Sequence, residues 1–204
     1  MSRWWPMAKS KHSKPPTLTM IRNLMKKNDY VWFSKPFSVN VVGYRTADIN
    51  SNTFNDWMTV SWNDGQGMWF FRRWPITTDP GVYYREHPMN VKGTAILKPG
   101  QWRGLWKLGT FKGRYEALLQ VGPCVVYRDN DKSATIELDG AEDMGRFGIC
   151  CHRASSSRTS QTVDRWSAGC QVFSDPDFFD EFLAIVRYSM RAFGPTISYT
   201  LLCE

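Results

Sequence analysis

Gly145-Arg-Phe-Gly-Ile-Cys-Cys-His152 and, after a polar loop, Trp166-Ser-Ala-Gly-Cys170-Gln-Val-Phe173 are the two runs from which the fold and chemistry of this chain are read. The first is apolar at its C-terminal half and predicts a buried strand that delivers His152 to its end. In the second, small residues precede a cysteine. Such a turn lets backbone approach a bound molecule closely and presents successive N–H groups to an oxyanion. A cysteine nucleophile needs a base, a partly exposed position and oxyanion donors. Of the three histidines, His12 lies in an N-terminal tail and His87 in a loop before Pro88, so His152 is the one placed to serve Cys170.

Downstream of Cys170, Asp175 is an N-cap, Pro176 suits a first turn, and Phe178, Phe179, Phe182, Leu183, Val186 and Met190 form one apolar face. Gly194-Pro195 stops this long helix, and Ile197 to Leu202 reads as a last strand. Upstream, β-branched or aromatic runs predict strands at Tyr30–Phe33, Val39–Tyr44, Thr59–Trp62, Met68–Phe71, Thr94–Leu97, Ala117–Val121, Val125–Tyr127 and Thr135–Leu138. Thr17 caps a short amphipathic helix through Leu18, Ile21, Leu24 and Met25. The class is a β-rich α+β fold with a short N-terminal helix and one long C-terminal helix. Residues 1–16 read as a basic N-terminal extension, and 17–204 as a single domain.

The 204 residues suffice for one core, and no apolar run reaches the roughly 18 residues of a membrane helix. The net charge of +7 comes from the N-terminus: Arg3, Lys9, Lys11, Lys14, Arg22, Lys26 and Lys27 have no acid among them, leaving nineteen charges of each sign elsewhere. The body is thus neutral, and nucleic acid is not the expected partner. The leader has no apolar segment of a secretory signal, which predicts synthesis in the cytoplasm, and five cysteines without a disulfide spacing fit a reducing compartment.

The two opening runs resemble the catalytic domain of L,D-transpeptidases, cysteine enzymes that cross-link or trim peptidoglycan stem peptides. The family pattern is a histidine, fourteen to seventeen residues, then Ser/Thr-His-Gly-Cys; here His152 is followed by fourteen residues and then Ser167, Ala168, Gly169 and Cys170. The resemblance spans about residues 70–175. It implies an L,D-transpeptidase-like sheet fold with Cys170 as acyl-accepting nucleophile, His152 as its base, and backbone N–H groups around Gly169 and Cys170 as oxyanion donors. It also aligns Thr77–Gly81 and Gly93–Gly100 with the family's substrate-side strands. Ala168 stands where the family usually has a second histidine, and Val172 where a polar residue is common. These departures are closer to a branch associated with bacteriophage-encoded proteins, implying synthesis in a host, association with a virion and its proteins, and hydrolysis rather than cross-linking.

In the loop between the runs, Arg153, Arg158 and Arg165 offer bidentate donors for a substrate carboxylate, and Trp166, with Trp102 and Trp106, offers a groove wall. No metal or cofactor is expected, since adjacent Cys150 and Cys151 point to opposite faces of a strand and cannot both join His152 and Cys170 in a zinc site. The alternative reading is a non-catalytic virion structural or cell-wall-binding protein that keeps this fold.

Overall fold

The structure, a computed structural model, describes residues 14–49 and 52–204. Most of the predicted basic extension, including Trp4, Trp5 and His12, lies outside the described residues. Helix α1 (Leu18–Lys27) starts where the Thr17 hydroxyl accepts the Met20 N–H at 3.2 Å, and Lys26 and Lys27 sit in its last turn, where positive charge suits the helix dipole. Its Ile21 and Met25 pack with Val42, Tyr44, Trp57 and Leu202 into a small separate core.

Eight strands close into a barrel: β1 (Asn40–Arg45), β2 (Asp56–Asn63), β3 (Trp69–Thr77), β5 (Gly100–Phe111), β6 (Tyr115–Gln120), β9 (Cys151–Arg153), β10 (Gln171–Phe173) and β11 (Thr196–Cys203). They run in the order β1-β11-β5-β6-β9-β10-β3-β2. Closure leaves this sheet no free edge. Pairs β1–β11 and β9–β10 are parallel, and the others antiparallel. A second sheet holds β4 (Thr94–Leu97), β7 (Cys124–Asp129) and β8 (Ala141–Gly145) in the order β4-β7-β8. The short helix α2 (Val82–Glu86) follows β3.

Helix α3 (Pro176–Phe193) begins as the sequence predicts, with Asp175 accepting from Asp177 N–H at 2.9 Å, and Gly194 ends it at φ 109°. Phe179, Phe182, Leu183 and Val186 bury against Trp74 and Phe173 in the main core. Each such side chain contributes roughly 1.5–3 kcal/mol of transfer free energy. No helix among the described residues is long and apolar enough to cross a membrane.

The strand-rich α+β class with a C-terminal helix agrees with the sequence reading. Five local expectations differ. The Gly145–His152 run is strand only from Cys151, and β9 continues through His152 to Arg153. Tyr30–Phe33 and Thr135–Leu138 form no strand. The Tyr30–Phe33 segment bonds to side chains instead: Val31 pairs with Gln101, and Phe33 with Asn40. The acidic stretch before Gly145, for which no strand is expected, is β8, an edge strand with Glu142 exposed and Asp143 paired with Arg128. The longest strand, β5, was hidden by Gly104 and Gly109. Gly104 adopts φ 60° where the pairing of β5 with β11 shifts register, so the glycine marks a bulge rather than a chain break.

One buried polar cluster supports the region of interest. Arg45, at the end of β1, is 2.9 Å from the Asp79 carboxylate and donates to Thr78 Oγ1, Thr78 O and Leu97 O. Asp56 accepts from Thr46 N–H, Thr78 N–H and the Thr78 hydroxyl, each at 2.8 Å except for the longer hydroxyl bond from Thr46. Burial pushes the Asp56 carboxyl up to about 7. These contacts fix residues 77–81, and the Gly81 N–H then donates to Ser167 O at 2.9 Å, tying the cluster to the cysteine turn.

Candidate active site

His152 lies in β9, and Cys170 immediately precedes β10, the parallel neighbour of β9. Cys151 pairs with Gln171, His152 with Val172 and Arg153 with Phe173, and Gln171 N–H donates to Cys150 O at 2.9 Å. Side chains alternate along a strand, so Cys150, His152, Cys170 and Val172 share one face, while Cys151, Gln171 and Phe173 point to the barrel core. His152, paired with Val172, is therefore two residues along the register from Cys170.

The imidazole is 3% exposed and stacks on Phe111 with ring centroids 4.2 Å apart. Nδ1 lies 2.9 Å from Arg153 O. A carbonyl only accepts, so Nδ1 carries the proton and Nε2 keeps its lone pair. Burial lowers the imidazole to about 4, which keeps it neutral at physiological pH. The Cys170 thiol, half-buried, donates to Gly148 O at 3.3 Å rather than to His152. The expected dyad is thus co-facial and uncoupled in this state; rotation of the cysteine side chain would be needed to bring the sulfur toward Nε2.

The turn before Cys170 is held by its own serine. The Ser167 hydroxyl donates to Cys170 O at 2.9 Å and accepts from Gly169 N–H at 3.1 Å. The Gly169 amide, expected to face an oxyanion, is thus engaged internally, whereas Cys170 N–H has no acceptor among the described residues. Gly169 is required for a different reason. Its φ is 118°, and a Cβ there would lie 2.1 Å from Ala95 O, because the turn presses its backbone on β4. Below the turn, Tyr199 Oη donates to Gln171 Oε1 at 2.7 Å, and Gln171 Nε2 reaches Gly169 O at 3.4 Å.

Beside His152 opens a pocket of about 430 Å³, lined by Arg153, Arg165 and Trp166 together with Phe111, Lys112, Arg114 and Tyr115. Four cations line it and no acid. Arg153 sits 4.1 Å from the Tyr115 ring centroid and Arg165 3.8 Å from that of Tyr83, so aromatic faces hold both guanidinium groups in place. Tyr115 Oη donates to Arg153 O at 3.1 Å, and burial pushes this phenol up to about 12. Arg158 is exposed and does not line the pocket. On the other side of the turn, Ala168 borders a second pocket of about 340 Å³ with Gly93, Thr94, Arg128 and Arg146.

Three expectations about lining residues change. Trp106 is wholly buried and its indole donates to Ile149 O at 2.7 Å, so it shapes the segment before Cys150 and lines no groove. Trp102 packs partly buried on the main core. Thr77, Thr78 and Asp79 are buried in the Arg45 cluster, so this stretch supports the turn from beneath instead of facing substrate.

Lys112, Arg114 and Tyr115 were missed from sequence. The signal for them was Phe111-Lys-Gly-Arg-Tyr115: Lys112 and Gly113 both take positive φ, 50° and 68°, in the three-residue hairpin loop 112–114 between β5 and β6. Gln120 was missed as well. Its carbonyl oxygen accepts from Phe147 N–H at 2.9 Å and Ile149 N–H at 2.8 Å, fixing the loop whose Gly148 O meets the thiol. Among the described residues, no group of three His, Cys, Asp or Glu side chains is arranged to hold a metal ion. No family model, no curated protein and no solved structure matches this chain.

Proposed function

We propose that this protein is a cysteine acyl-transfer enzyme of L,D-transpeptidase-like fold, of the branch associated with bacteriophages, that cleaves an amide bond in a peptidoglycan stem peptide. The reading is carried by one observation: a neutral, tautomer-fixed His152 lines a pocket with four cations and no acid, and Cys170 immediately precedes the strand that pairs in parallel with that of His152. In the proposed reaction Nε2 of His152 takes the Cys170 proton and the thiolate attacks the carbonyl carbon. Cys170 N–H steadies the oxyanion, and the imidazolium returns its proton to the leaving amine. Water, deprotonated by His152, then opens the thioester to release a carboxylic acid and the free thiol. Lys112, Arg114, Arg153 and Arg165 suit a stem peptide, which carries several carboxylates.

The test is release of soluble peptides from purified sacculi by the wild type, Cys170→Ala and His152→Ala. Release that requires both residues is the expected result, and release that persists in Cys170→Ala overturns the assignment. The thiol's bond to Gly148 O, away from His152, favours a second reading: a wall-binding protein without turnover. It predicts sacculus binding by all three proteins and release by none.

A further inference from the structure

We propose that Cys150 and Cys170 form a reversible dithiol–disulfide pair, a covalent modification site that closes the candidate nucleophile. The two residues stand opposite each other one step before the Cys151–Gln171 pair of β9 and β10, and the Gln171 N–H bond to Cys150 O holds the strands together at that level. Neighbouring strands lie about 4.8 Å apart. A disulfide requires Cα atoms about 4.4–6.8 Å apart and side chains on one side, a range that the strand spacing continued one residue beyond the pair falls within. Cys151 faces the core, and Cys124 and Cys203 belong to β7 and β11, so neither competes at this position. All five thiols are free in the reduced protein.

The two sulfurs also divide their titration. Contact with Cys170 lowers the Cys150 thiol to about 7, and contact with Cys150 raises that of Cys170. Cys170 is the more exposed of the two. A low-molecular-weight disulfide such as oxidised glutathione exchanges with Cys170, releasing one glutathione thiol and leaving a mixed disulfide. The Cys150 thiolate then attacks the Cys170 sulfur and expels the second glutathione as thiolate. In balance, two protein thiols and one small disulfide become one protein disulfide and two small thiols.

The bond rests on the strand register alone; only its effect on turnover rests on reading Cys170 as the nucleophile. The test is intact mass and peptide mapping of the full chain after oxidised glutathione, for the wild type and Cys150→Ser. We expect wild type two hydrogens lighter, with the Cys170 peptide joined to the peptide bearing Cys150, and reversal by dithiothreitol. The Cys150→Ser protein should instead retain one glutathione on Cys170. The proposal is overturned if wild type also retains glutathione on Cys170, or if Cys150→Ser still forms the bridge. A bridge in a protein whose reduced form releases nothing from sacculi sustains the pair and rejects the enzymatic reading.

Discussion

His152 Nδ1 and the carbonyl oxygen of Arg153 lie 2.9 Å apart, so the histidine's tautomer is set by the residue that follows it in the chain. The same strand end that buries the ring therefore leaves Nε2 as its basic atom. Burial holds the imidazole down to about 4, against an ordinary value of about 6.5.

This shift has a definite sign for stability. Between about 6.5 and 4 the unfolded chain binds the His152 proton and the native protein does not, so the contribution is complete above 6.5 and is lost as pH falls toward 4. Asp56 acts in the opposite sense, because burial raises it to about 7 and its protonated form is favoured in the native protein. Comparing wild type with His152→Gln cancels the Asp56 effect. The difference in Tm, wild type minus variant, should shrink from pH 7.5 to pH 5. A difference that stays constant would place the imidazole in solvent.

Gly169→Ala should destabilise the protein by at least about 1–3 kcal/mol, the cost of a left-handed backbone position for a residue with a Cβ. The overlap with Ala95 O adds to it. Urea unfolding measures the loss, and an unchanged midpoint would mean that the turn does not press on β4.

Arg45→Met takes the ion-paired cation from buried Asp79 and leaves it only the attraction of Arg85, and breaking a buried pair from one side costs up to about 3–5 kcal/mol. Because residues 77–81 hold Ser167 through Gly81, the same variant should increase hydrogen exchange at Ser167 to Cys170. Exchange confined to the neighbourhood of Arg45 would separate the cluster from the turn.

Arg153→Gln and Arg165→Gln should each raise KM for an anionic stem peptide about ten-fold or more with little change in kcat, since a hydrogen bond to a charged group contributes roughly 1.5–3 kcal/mol. Arg158→Gln, outside the pocket, serves as the control. Equal effects of all three would indicate long-range attraction by net charge, and high salt would then remove them.

Much of this architecture was legible in the chain because local rules and packing agree there. Asp175, Pro176 and Gly194 bound a helix whose phenylalanines repeat with helical spacing, and α3 forms where they predict. Residue type and spacing single out His152 and Cys170, and β9 and β10 bring their backbones near each other, but the thiol's bond to Gly148 O has no sequence signal. Neither the barrel closure nor β5 was, because Gly104 and Gly109 interrupt a strand that is stabilised by β11 and β6 from distant parts of the chain. The roles of Gln120 and Trp106 follow from long-range hydrogen bonds to a loop with no pattern of its own. Equally, the engagement of Gly169 N–H by Ser167 depends on a side-chain rotamer that motif spacing does not encode.

The central claim is that Cys170 accepts an acyl group, and mass spectrometry of the protein quenched in acid during incubation with stem peptides tests it most directly. The prediction is a thioester on the Cys170 peptide, equal in mass to the substrate less its leaving amine, absent from Cys170→Ala and strongly reduced in His152→Ala. Turnover of those peptides by Cys170→Ala at the wild-type rate, or an acyl group carried on another residue, would contradict it.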